Sequence, residues 1–384
     1  MAALGLACTA SSGRELASCR AEEDVLPGAA HVVRADADAV PAKEESMIER
    51  RSWATEGRHP GADGLERRST GELVALIAAE DARVPPAVAA AAPAIAALAD
   101  AVAAAMAAGG RLVYVGAGAS GGVAALDAYE CGPTYGCAPG EVLAVVAGQG
   151  AVVPPAGLLA NAGGAEDDGE AGAGDVATAG VRRGDAVVGL SASGRTPYVL
   201  GALGEARSAG ALCAAVTCNP GSELARLADL AVEVGTGPEV IAGSTRMKAA
   251  SAQKLVLHTL STVVMIRLGR TYGPYMVAMR VENDKLHARA TGILAHLSGM
   301  DEGHCAATLD AAGRDTRVAA VSLLAGCDLP TARRLLAGAG GRVGEALAAA
   351  RGGTEGDHPF TAPAASPETT LRWTSTNSST TGRV

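Results

Sequence analysis

The sequence predicts an α/β fold in which helices flank a doubly wound parallel sheet, followed by a small helical domain. Apolar runs of four to seven residues, too short for helices, recur through the middle of the chain and end in glycine or polar loops. Helical stretches separate most of these runs, and this alternation is typical of a parallel sheet buried on both faces. The span 291–350 has no strand pattern, and we expect a small helical bundle there.

The segment before the sheet is predicted to begin with a disordered arm, residues 1–48, which mixes alanine, charged and small polar residues without period. Ser69 and Glu72 form a capping box that starts a first helix. An alanine-rich helix then runs from about Pro86 to Ala108 and stops at two glycines. The predicted strands follow as LVYV (112–115), VLAVVA (142–147), AVVGLSA (186–192), LCAAVT (212–217) and LAVEV (230–234).

The predicted domain boundaries follow from the segments that come after the last strand. A long helix is predicted from about Ser244 to Leu268. Residues 49–290 then make one α/β domain and residues 291–350 the helical domain. The Ser/Thr-rich segment 351–384 has little to bury and is predicted to be a disordered tail.

Composition excludes several classes of protein. The formal charge is −9 and no Lys/Arg-rich run occurs, so we expect no nucleic-acid or anionic-membrane partner. None of the 8 cysteines forms a CxxC pair, and scattered cysteines suit a reducing compartment. We find neither a strongly apolar span of membrane length nor a signal peptide, and we therefore expect a cytoplasmic protein.

A glycine-rich loop, GAGASGG (116–122), follows the first predicted strand. Its spacing resembles a dinucleotide fingerprint only if Gly121 is counted, and no acidic residue follows at the end of a second strand. A nicotinamide cofactor is therefore disfavoured. The simplest interpretation of the loop is a tight turn between a strand and a helix. The functional interpretation is that the turn also presents the hydroxyl of Ser120 at a helix N-terminus.

A serine-rich loop, SASGRTP (191–197), follows the third predicted strand. Thr196 is predicted to be the N-cap of the next helix and Pro197 its first residue. Capping needs only one hydroxyl, but Ser191, Ser193 and Thr196 supply three. Hydroxyls, exposed amides and the helix dipole together favour a phosphate site.

A third loop, GPEVIAGSTRMK (237–248), leads into the long helix and contains Ser244. Taken alone it is a helix start with basic residues in the first turn. That charge opposes the helix macrodipole and is unfavourable unless those residues have another task.

Read together, these loops resemble the sugar isomerase (SIS) domain, and more specifically the N-acetylmuramic acid 6-phosphate etherases and the related glucokinase regulatory proteins. GPEVIAGSTRMKAASAQK (237–254) is similar to the family signature over its full length. The segment CDLPTARRLLAGAGGRVGEAL (327–347) resembles the small ubiquitin-associated-type (UBA-like) helical domain of etherases. The other collinear blocks are ATEGRHP (54–60), DAYECGPTYG (127–136), GGAED (163–167), SASGRTPY (191–198), CNPGS (218–222) and ENDKLHARA (282–290).

The resemblance implies a cofactor-free and metal-free lyase that removes the D-lactyl ether of N-acetylmuramic acid 6-phosphate by elimination and then hydration. By the same resemblance Glu130, in DAYEC, is the proton donor, and Glu166, in GGAED, is the candidate base. Without the resemblance each glutamate is more simply a solvated charge, as Asp167 and Asp168 are expected to be. The expected substrate and phosphate contacts are Ser120, Ser191, Ser193, Thr196, Ser244 and Lys285.

Several alternatives stay open at this point. Lys285 and Arg289 equally fit an exposed helix face, and His258 and His287 are interpreted as structural. A sugar-phosphate isomerase would share the phosphate loops, and a non-catalytic sugar-phosphate sensor would bind without turnover. Sugar isomerase domains commonly pair with their sites near the interface, so the resemblance also implies a homodimer.

Overall fold

Six strands form one sheet in the computed structural model, which describes residues 53–152 and 164–352. The strand order is β3-β2-β1-β4-β5-β6, and every neighbouring pair is parallel except β2 and β3. The strands are β1 Leu112–Gly116, β2 Val142–Val146, β3 Gly150–Val152, β4 Ala186–Ser191, β5 Leu212–Thr217 and β6 Leu230–Glu233.

The five strands predicted from apolar runs are the five parallel strands of this sheet, so the predicted fold class is confirmed. The edge strand β3 was not predicted. It has three residues and is held by antiparallel pairing with β2, from Ala144 opposite Val152 to Val146 opposite Gly150. Only three residues separate the two strands, and a strand of three residues is too short to show a hydrophobic pattern of its own.

Helices cover both faces of the sheet. The helices of this α/β part are α1 Thr70–Asp81, α2 Val84–Ala90, α3 Ala92–Ala107, α4 Gly118–Tyr135, α5 Gly169–Thr178, α6 Pro197–Ser208, α7 Glu223–Leu227 and α8 Lys248–Arg267. On one face α3, α4 and α8 pack against strand residues such as Tyr114 and Val188. On the other face α5 and α6 pack against residues such as Val113 and Val187. Because successive side chains of a strand point to opposite faces of the sheet, each strand contributes residues to two hydrophobic cores.

Two helix boundaries differ from the prediction. The expected single helix from Pro86 to Ala108 is divided into α2 and α3. Pro93 lies in the first turn of α3, where it has no N–H to continue the hydrogen bonds of α2. The long helix α8 begins at Lys248 rather than near Ser244, because residues 244–247 form a turn. The capping box of Ser69 and Glu72 is confirmed.

The C-terminal part is entirely helical from Asp284 to Ala350 in the described structure. Its buried residues, from Val277 to Leu347, form a hydrophobic cluster separate from the two cores of the sheet. The helices are α9 Asp284–Ser298, α10 Glu302–Ala311, α11 Thr316–Ala325, α12 Leu329–Gly338 and α13 Val343–Ala350. The domain boundaries at 48/49 and 290/291 stay predictions, and the predicted arm 1–48 and all but the start of the tail 351–384 lie outside the described residues.

Of the individual helices in the described ranges, only α8 is long and apolar enough to meet the length and composition of a membrane span. A bent pair, residues 70–90 with 92–107, meets the same test only when taken together. Eleven residues of α8 are buried, among them Val256, Leu260 and Val264. This burial is that of a helix packed in a protein core.

Candidate active site

The strand order reverses between β1 and β4, and this reversal sets the position of the site. In open parallel sheets, ligands bind beyond the carboxyl ends of the strands where the order reverses. Gly116, the last residue of β1, lies opposite Leu190 of β4. The glycine-rich and serine-rich loops therefore leave the sheet side by side.

The serine-rich loop brings its three hydroxyls together. Ser191 Oγ lies 2.8 Å from Thr196 Oγ1 and 3.2 Å from Ser193 Oγ, and it accepts a 2.9 Å hydrogen bond from the Gly194 N–H. Thr196 occupies the N-cap position of α6, as predicted, but its side chain makes no capping hydrogen bond. The three hydroxyls, which we call the hydroxyl cluster, thus gather at a helix start whose amides are not capped by Thr196.

Glycine is required at position 194 for two reasons. Its φ of 69° lies in the left-handed region, and a Cβ there would come within 2.3 Å of the Ser222 side chain. Any larger residue would displace the turn that positions the side chains of Ser191 and Ser193. The hydroxyl cluster is therefore set by backbone geometry as well as by residue type.

The segment ATEGRHP packs against this loop. Asn219 donates to Thr55 Oγ1 at 2.7 Å and to the Ala192 carbonyl at 3.1 Å, and it accepts from the Thr55 N–H at 3.3 Å. The Arg195 guanidinium lies 4.4 Å from the centre of the Trp53 ring. Thus the family-like segment near residue 55 helps to hold the serine-rich loop in place.

Ser120 in the glycine-rich loop is directed toward α8. Its hydroxyl donates a 2.9 Å hydrogen bond to Gln253 Oε1, and both side chains are buried. The Gln253 Nε2 has no hydrogen-bond partner among the described residues. Sequence reasoning missed Gln253, because nothing in the local pattern distinguishes it from other residues of the signature.

Glu166 lies beside the start of α4, in a 3-10 turn, Ala165–Asp167, that contacts α6. Its Oε2 is 3.9 Å from the position a Cβ would take on Gly118, the first residue of α4. Three residues further along the chain, a Cβ on Gly169 would lie 3.2 Å from the carbonyl of Pro197, the first residue of α6. Asp168 was expected to be only a solvated charge, but it caps α5 by accepting from the Ala171 N–H at 2.9 Å. Glu166 itself is exposed.

Glu130 lies elsewhere in the same chain. Twelve helical positions separate it from Gly118, which corresponds to about 18 Å along α4. Its side chain is 49% exposed, and Leu126 and Tyr129 on the same helix are also exposed. Glu130 and Glu166 of a single chain are therefore too far apart to act on the same bond of a substrate.

His258 is not the isolated structural residue that the sequence suggested. Its Nε2 lies 2.9 Å from Glu130 Oε2, and its Nδ1 lies 3.5 Å from Asp127 Oδ1. Asp127 and Glu130 are three positions apart on α4 and so share one face. That spacing was visible in the sequence, whereas the approach of a histidine 128 residues away was not. His287, the other histidine interpreted as structural, pairs with Asp310 at 3.0 Å.

The charge at the start of α8 has a structural explanation. Glu239 accepts from the backbone N–H groups of Lys248 and Ala249, at 3.2 and 3.0 Å, and so supplies the negative charge that the helix start favours. Lys248 is 1% exposed, and its Nζ donates to Glu80 Oε2 at 2.5 Å and to the Pro238 carbonyl at 2.7 Å.

Glu80 is the centre of this buried network. Burial by itself would raise its pKa, but hydrogen bonds from Lys248, His59 and Arg83 outweigh burial and lower the pKa to about 2. His59 Nε2 and Arg83 each lie 3.1 Å from Glu80 Oε1. The signature residues Glu239 and Lys248 therefore anchor the loop that leads into α8.

The two remaining predicted contacts are Ser244 and Lys285. Ser244 is half-buried in the turn before α8, and its N–H donates to the Ile241 carbonyl at 2.9 Å. Lys285 is exposed in the first turn of α9. Within the described ranges, neither side chain hydrogen-bonds to the cluster. No group of three or more His, Cys, Asp or Glu side chains in that part of the chain is placed to hold a metal ion.

The chain is similar to known proteins, first of all in sequence. The sequence model of the SIS domain family matches residues 169–263. An N-acetylmuramic acid 6-phosphate etherase of Rubrobacter xylanophilus is 52% identical over 284 residues, which are 74% of this chain and 92% of that protein. One from Streptomyces avermitilis is 47% identical over 304 residues, or 79% of this chain and 96% of that protein. A solved phosphoheptose isomerase from Neisseria gonorrhoeae aligns with a TM-score of 0.38 at 18% identity, over 51% of this chain and 98% of that one.

Proposed function

Since this chain belongs to the N-acetylmuramic acid 6-phosphate etherases, we propose that Glu166 and Glu130 are its catalytic pair and that they meet across the contact between two copies of the chain. The enzyme is a carbon–oxygen lyase of amino-sugar catabolism. Neither the isomerase nor the non-catalytic sensor is favoured, because relatives at 41–52% identity over most of the chain carry the etherase name.

The reaction needs one base and one acid. In the open-chain form of N-acetylmuramic acid 6-phosphate, the C1 aldehyde acidifies the C2 proton, and the lactyl group leaves from C3. A base removes the C2 proton while an acid protonates the departing lactate oxygen. Water then adds at C3, and the products are N-acetylglucosamine 6-phosphate and D-lactate. One positioned acid or base typically contributes ~10²–10⁴-fold to the rate.

The observation that carries the proposal is the place of Glu166 beside the start of α4, in a turn that contacts α6. The hydroxyl cluster at the start of α6 supplies donors and a helix dipole for the 6-phosphate. With the phosphate anchored there, the sugar ring extends toward the glycine-rich loop, where Glu166 takes the role of base at C2.

Glu130 takes the role of proton donor from a second subunit. It lies about 18 Å along α4 from the helix start in its own chain, too far to reach a sugar held by the hydroxyl cluster. Its exposed apolar neighbours Leu126 and Tyr129 suit a contact between copies. A two-fold dimer that buries this face gives two equal sites, each built from both chains. We propose that this homodimer works in the cytoplasm.

Release of D-lactate from N-acetylmuramic acid 6-phosphate tests the function directly. We expect Glu130→Gln and Glu166→Gln each to lose lactate release by at least 10²-fold, about the low end for a positioned acid or base, with an unchanged melting temperature. The matched control is Glu170→Gln, an exposed glutamate in the same acidic stretch as Glu166, which should keep wild-type activity. Near-normal lactate yield from either catalytic variant would remove that residue from the mechanism.

Mixing the two inactive variants tests the shared site. Subunit exchange makes about half of the dimers mixed, and each mixed dimer holds one site with both glutamates intact, so about a quarter of wild-type activity should return. If both glutamates of a site came from one chain, every mixed site would lack one of them and no activity would return.

A further inference from the structure

A chain of polar side chains runs from the interior of the protein to Glu130. Asp127 is 2% exposed, and it accepts hydrogen bonds from Tyr114 Oη at 2.7 Å and from Ser261 Oγ at 2.8 Å. His258 comes next, with Nδ1 3.5 Å from Asp127 Oδ1. Its other ring nitrogen, Nε2, lies 2.9 Å from Glu130 Oε2.

Two facing helices create this arrangement. Asp127 and Glu130 lie three positions apart on α4, and His258 and Ser261 lie three positions apart on α8. Residues at that spacing share a helix face, so the two pairs meet where α4 packs against α8. Since both Asp127 oxygens are already engaged by hydroxyls, the carboxylate has a set orientation toward the ring.

The hydrogen-bond partners determine where the ring protons lie. Nδ1 faces the Lys254 carbonyl at 3.0 Å and the Asp127 carboxylate, and both groups accept hydrogen bonds. Nδ1 therefore carries a proton. The 2.9 Å contact between Nε2 and Glu130 then needs one more proton, because a bare ring nitrogen and an ionised carboxylate would both be acceptors. That proton resides either on Glu130 or on Nε2.

We propose that His258 is the positioning residue for Glu130 and holds, with it, the one proton that the etherase reaction uses. This inference rests on the proposed role of Glu130 as proton donor. Asp127 fixes the ring orientation and faces the positive charge that the ring carries whenever the shared proton lies on Nε2.

The proton is conserved over the two steps. In the elimination, the base takes the C2 proton, the C2–H electrons form the C2–C3 double bond, and the C3–O electrons leave with the lactate oxygen. That oxygen takes the proton of Glu130. In the hydration, water oxygen bonds to C3, C2 regains a proton from the base, and the remaining water proton returns to Glu130.

The paired acceptors favour that return. After delivery, the Glu130 carboxylate and the bare Nε2 face each other at hydrogen-bond distance with no proton between them. Two acceptors in contact are unfavourable, and so the pair draws the proton from the incoming water. Burial raises the pKa of Asp127, although hydroxyl hydrogen bonds and the neighbouring His258 oppose that rise. The Asp127 carboxylate is thus stabilised when the ring is positively charged.

The kinetic test uses the full-length enzyme and two substitutions of His258. We expect His258→Ala to lower kcat about 10- to 100-fold with little change in KM, by analogy with side chains that orient metal-binding residues. Added imidazole should restore part of the lost kcat. His258→Gln should lose kcat equally, because an amide donates a hydrogen bond but holds no exchangeable acid proton.

A second histidine provides the matched control. His287 has a side chain 23% exposed against 24% for His258, and it too pairs with one carboxylate, at 3.0 Å. His287→Ala should keep wild-type kcat. Wild-type kcat in His258→Ala or His258→Gln would overturn the proposal. The proposal would also be overturned if the loss of kcat were accompanied by a lower melting temperature and were not restored by imidazole. That result would show that His258 has a structural role alone.

A spectroscopic test separates this inference from the proposed function. If the wild-type enzyme released no D-lactate, the proposed function would fail, but the proton arrangement could still be measured by ¹⁵N NMR of the histidine rings. We expect Nδ1 of His258 to be protonated at neutral pH, and the Nε2 resonance to move in Glu130→Gln but not in Glu166→Gln. An unprotonated Nδ1, or an Nε2 resonance that does not move in Glu130→Gln, would refute the shared proton whatever the activity of the enzyme.

Discussion

Replacing Lys248 with methionine should destabilise the enzyme by about 3 kcal/mol at neutral pH, because it removes one partner of a buried ion pair and leaves Glu80 with His59 and Arg83 alone. The pKa of Glu80 is lowered from 4.5 to about 2. Since one pKa unit corresponds to about 1.36 kcal/mol, the contacts of the Glu80 carboxylate with Lys248, His59 and Arg83 together contribute, net of burial, about 3 kcal/mol above pH 4.5. Removing one partner of a buried ion pair costs about 3–5 kcal/mol, which agrees with this magnitude.

The pH dependence of this effect has a definite sign. A carboxyl group whose pKa is lowered on folding contributes stability above its unfolded pKa, and that contribution is lost as the pH falls through the folded pKa. For Glu80 the window runs from about 4.5 down to about 2. The difference between wild type and Lys248→Met should therefore be full at pH 7 and shrink as the pH falls through this window.

Urea unfolding at several pH values measures both quantities. Lys254→Met is the matched control, since this lysine lies on the same helix but is exposed, and it should change the free energy of unfolding by no more than about 0.5 kcal/mol. A difference below about 1 kcal/mol between wild type and Lys248→Met at pH 7 would refute the reasoning. So would a difference that stays constant from pH 7 to pH 3.

Two further predictions concern the phosphate site and the C-terminal helices. Ser191→Ala should raise KM for N-acetylmuramic acid 6-phosphate about tenfold with a smaller change in kcat, since it removes the centre of the hydroxyl cluster at a cost of about 1.4 kcal/mol. Initial rates over a range of substrate concentrations check this, and an unchanged KM would contradict the phosphate assignment. Leu294→Ala, at a residue 1% exposed in the C-terminal cluster, should lower the free energy of unfolding by about 2–5 kcal/mol. A loss under about 1 kcal/mol in urea unfolding would mean that this cluster does not stabilise the fold.

The parts of the fold that the sequence predicted are those with local causes. Each parallel strand is a run of buried apolar residues, and burial on both faces leaves such a run without polar alternation. The capping box at Ser69 and the N-cap position of Thr196 likewise depend on residues within a few positions of each other. The hydroxyl cluster belongs to the same class, because Ser191, Ser193 and Thr196 lie on one turn.

The prediction failed where the local signal was weak or where the cause lay far away in the chain. The strand β3 has only three residues, too few to show a strand pattern, although it forms a short hairpin with β2. The interruption between α2 and α3 had a local signal in Pro93, which an alanine-rich pattern on both sides concealed. The unfavourable charge of Lys248 at a helix start could be recognised, but its explanation lies in Glu80, 168 residues earlier.

By itself, then, the sequence determined the parallel sheet, the positions of the loops that hold the hydroxyls, and the family to which the chain is similar. These follow from hydrophobic period, capping and turn chemistry, which act between near neighbours in the chain. Only the tertiary structure decided that His258 contacts Glu130, that Glu166 lies beside the start of α4, and that the two glutamates of one chain are far apart. Such contacts arise when whole helices pack against one another, and no local pattern records which faces will meet.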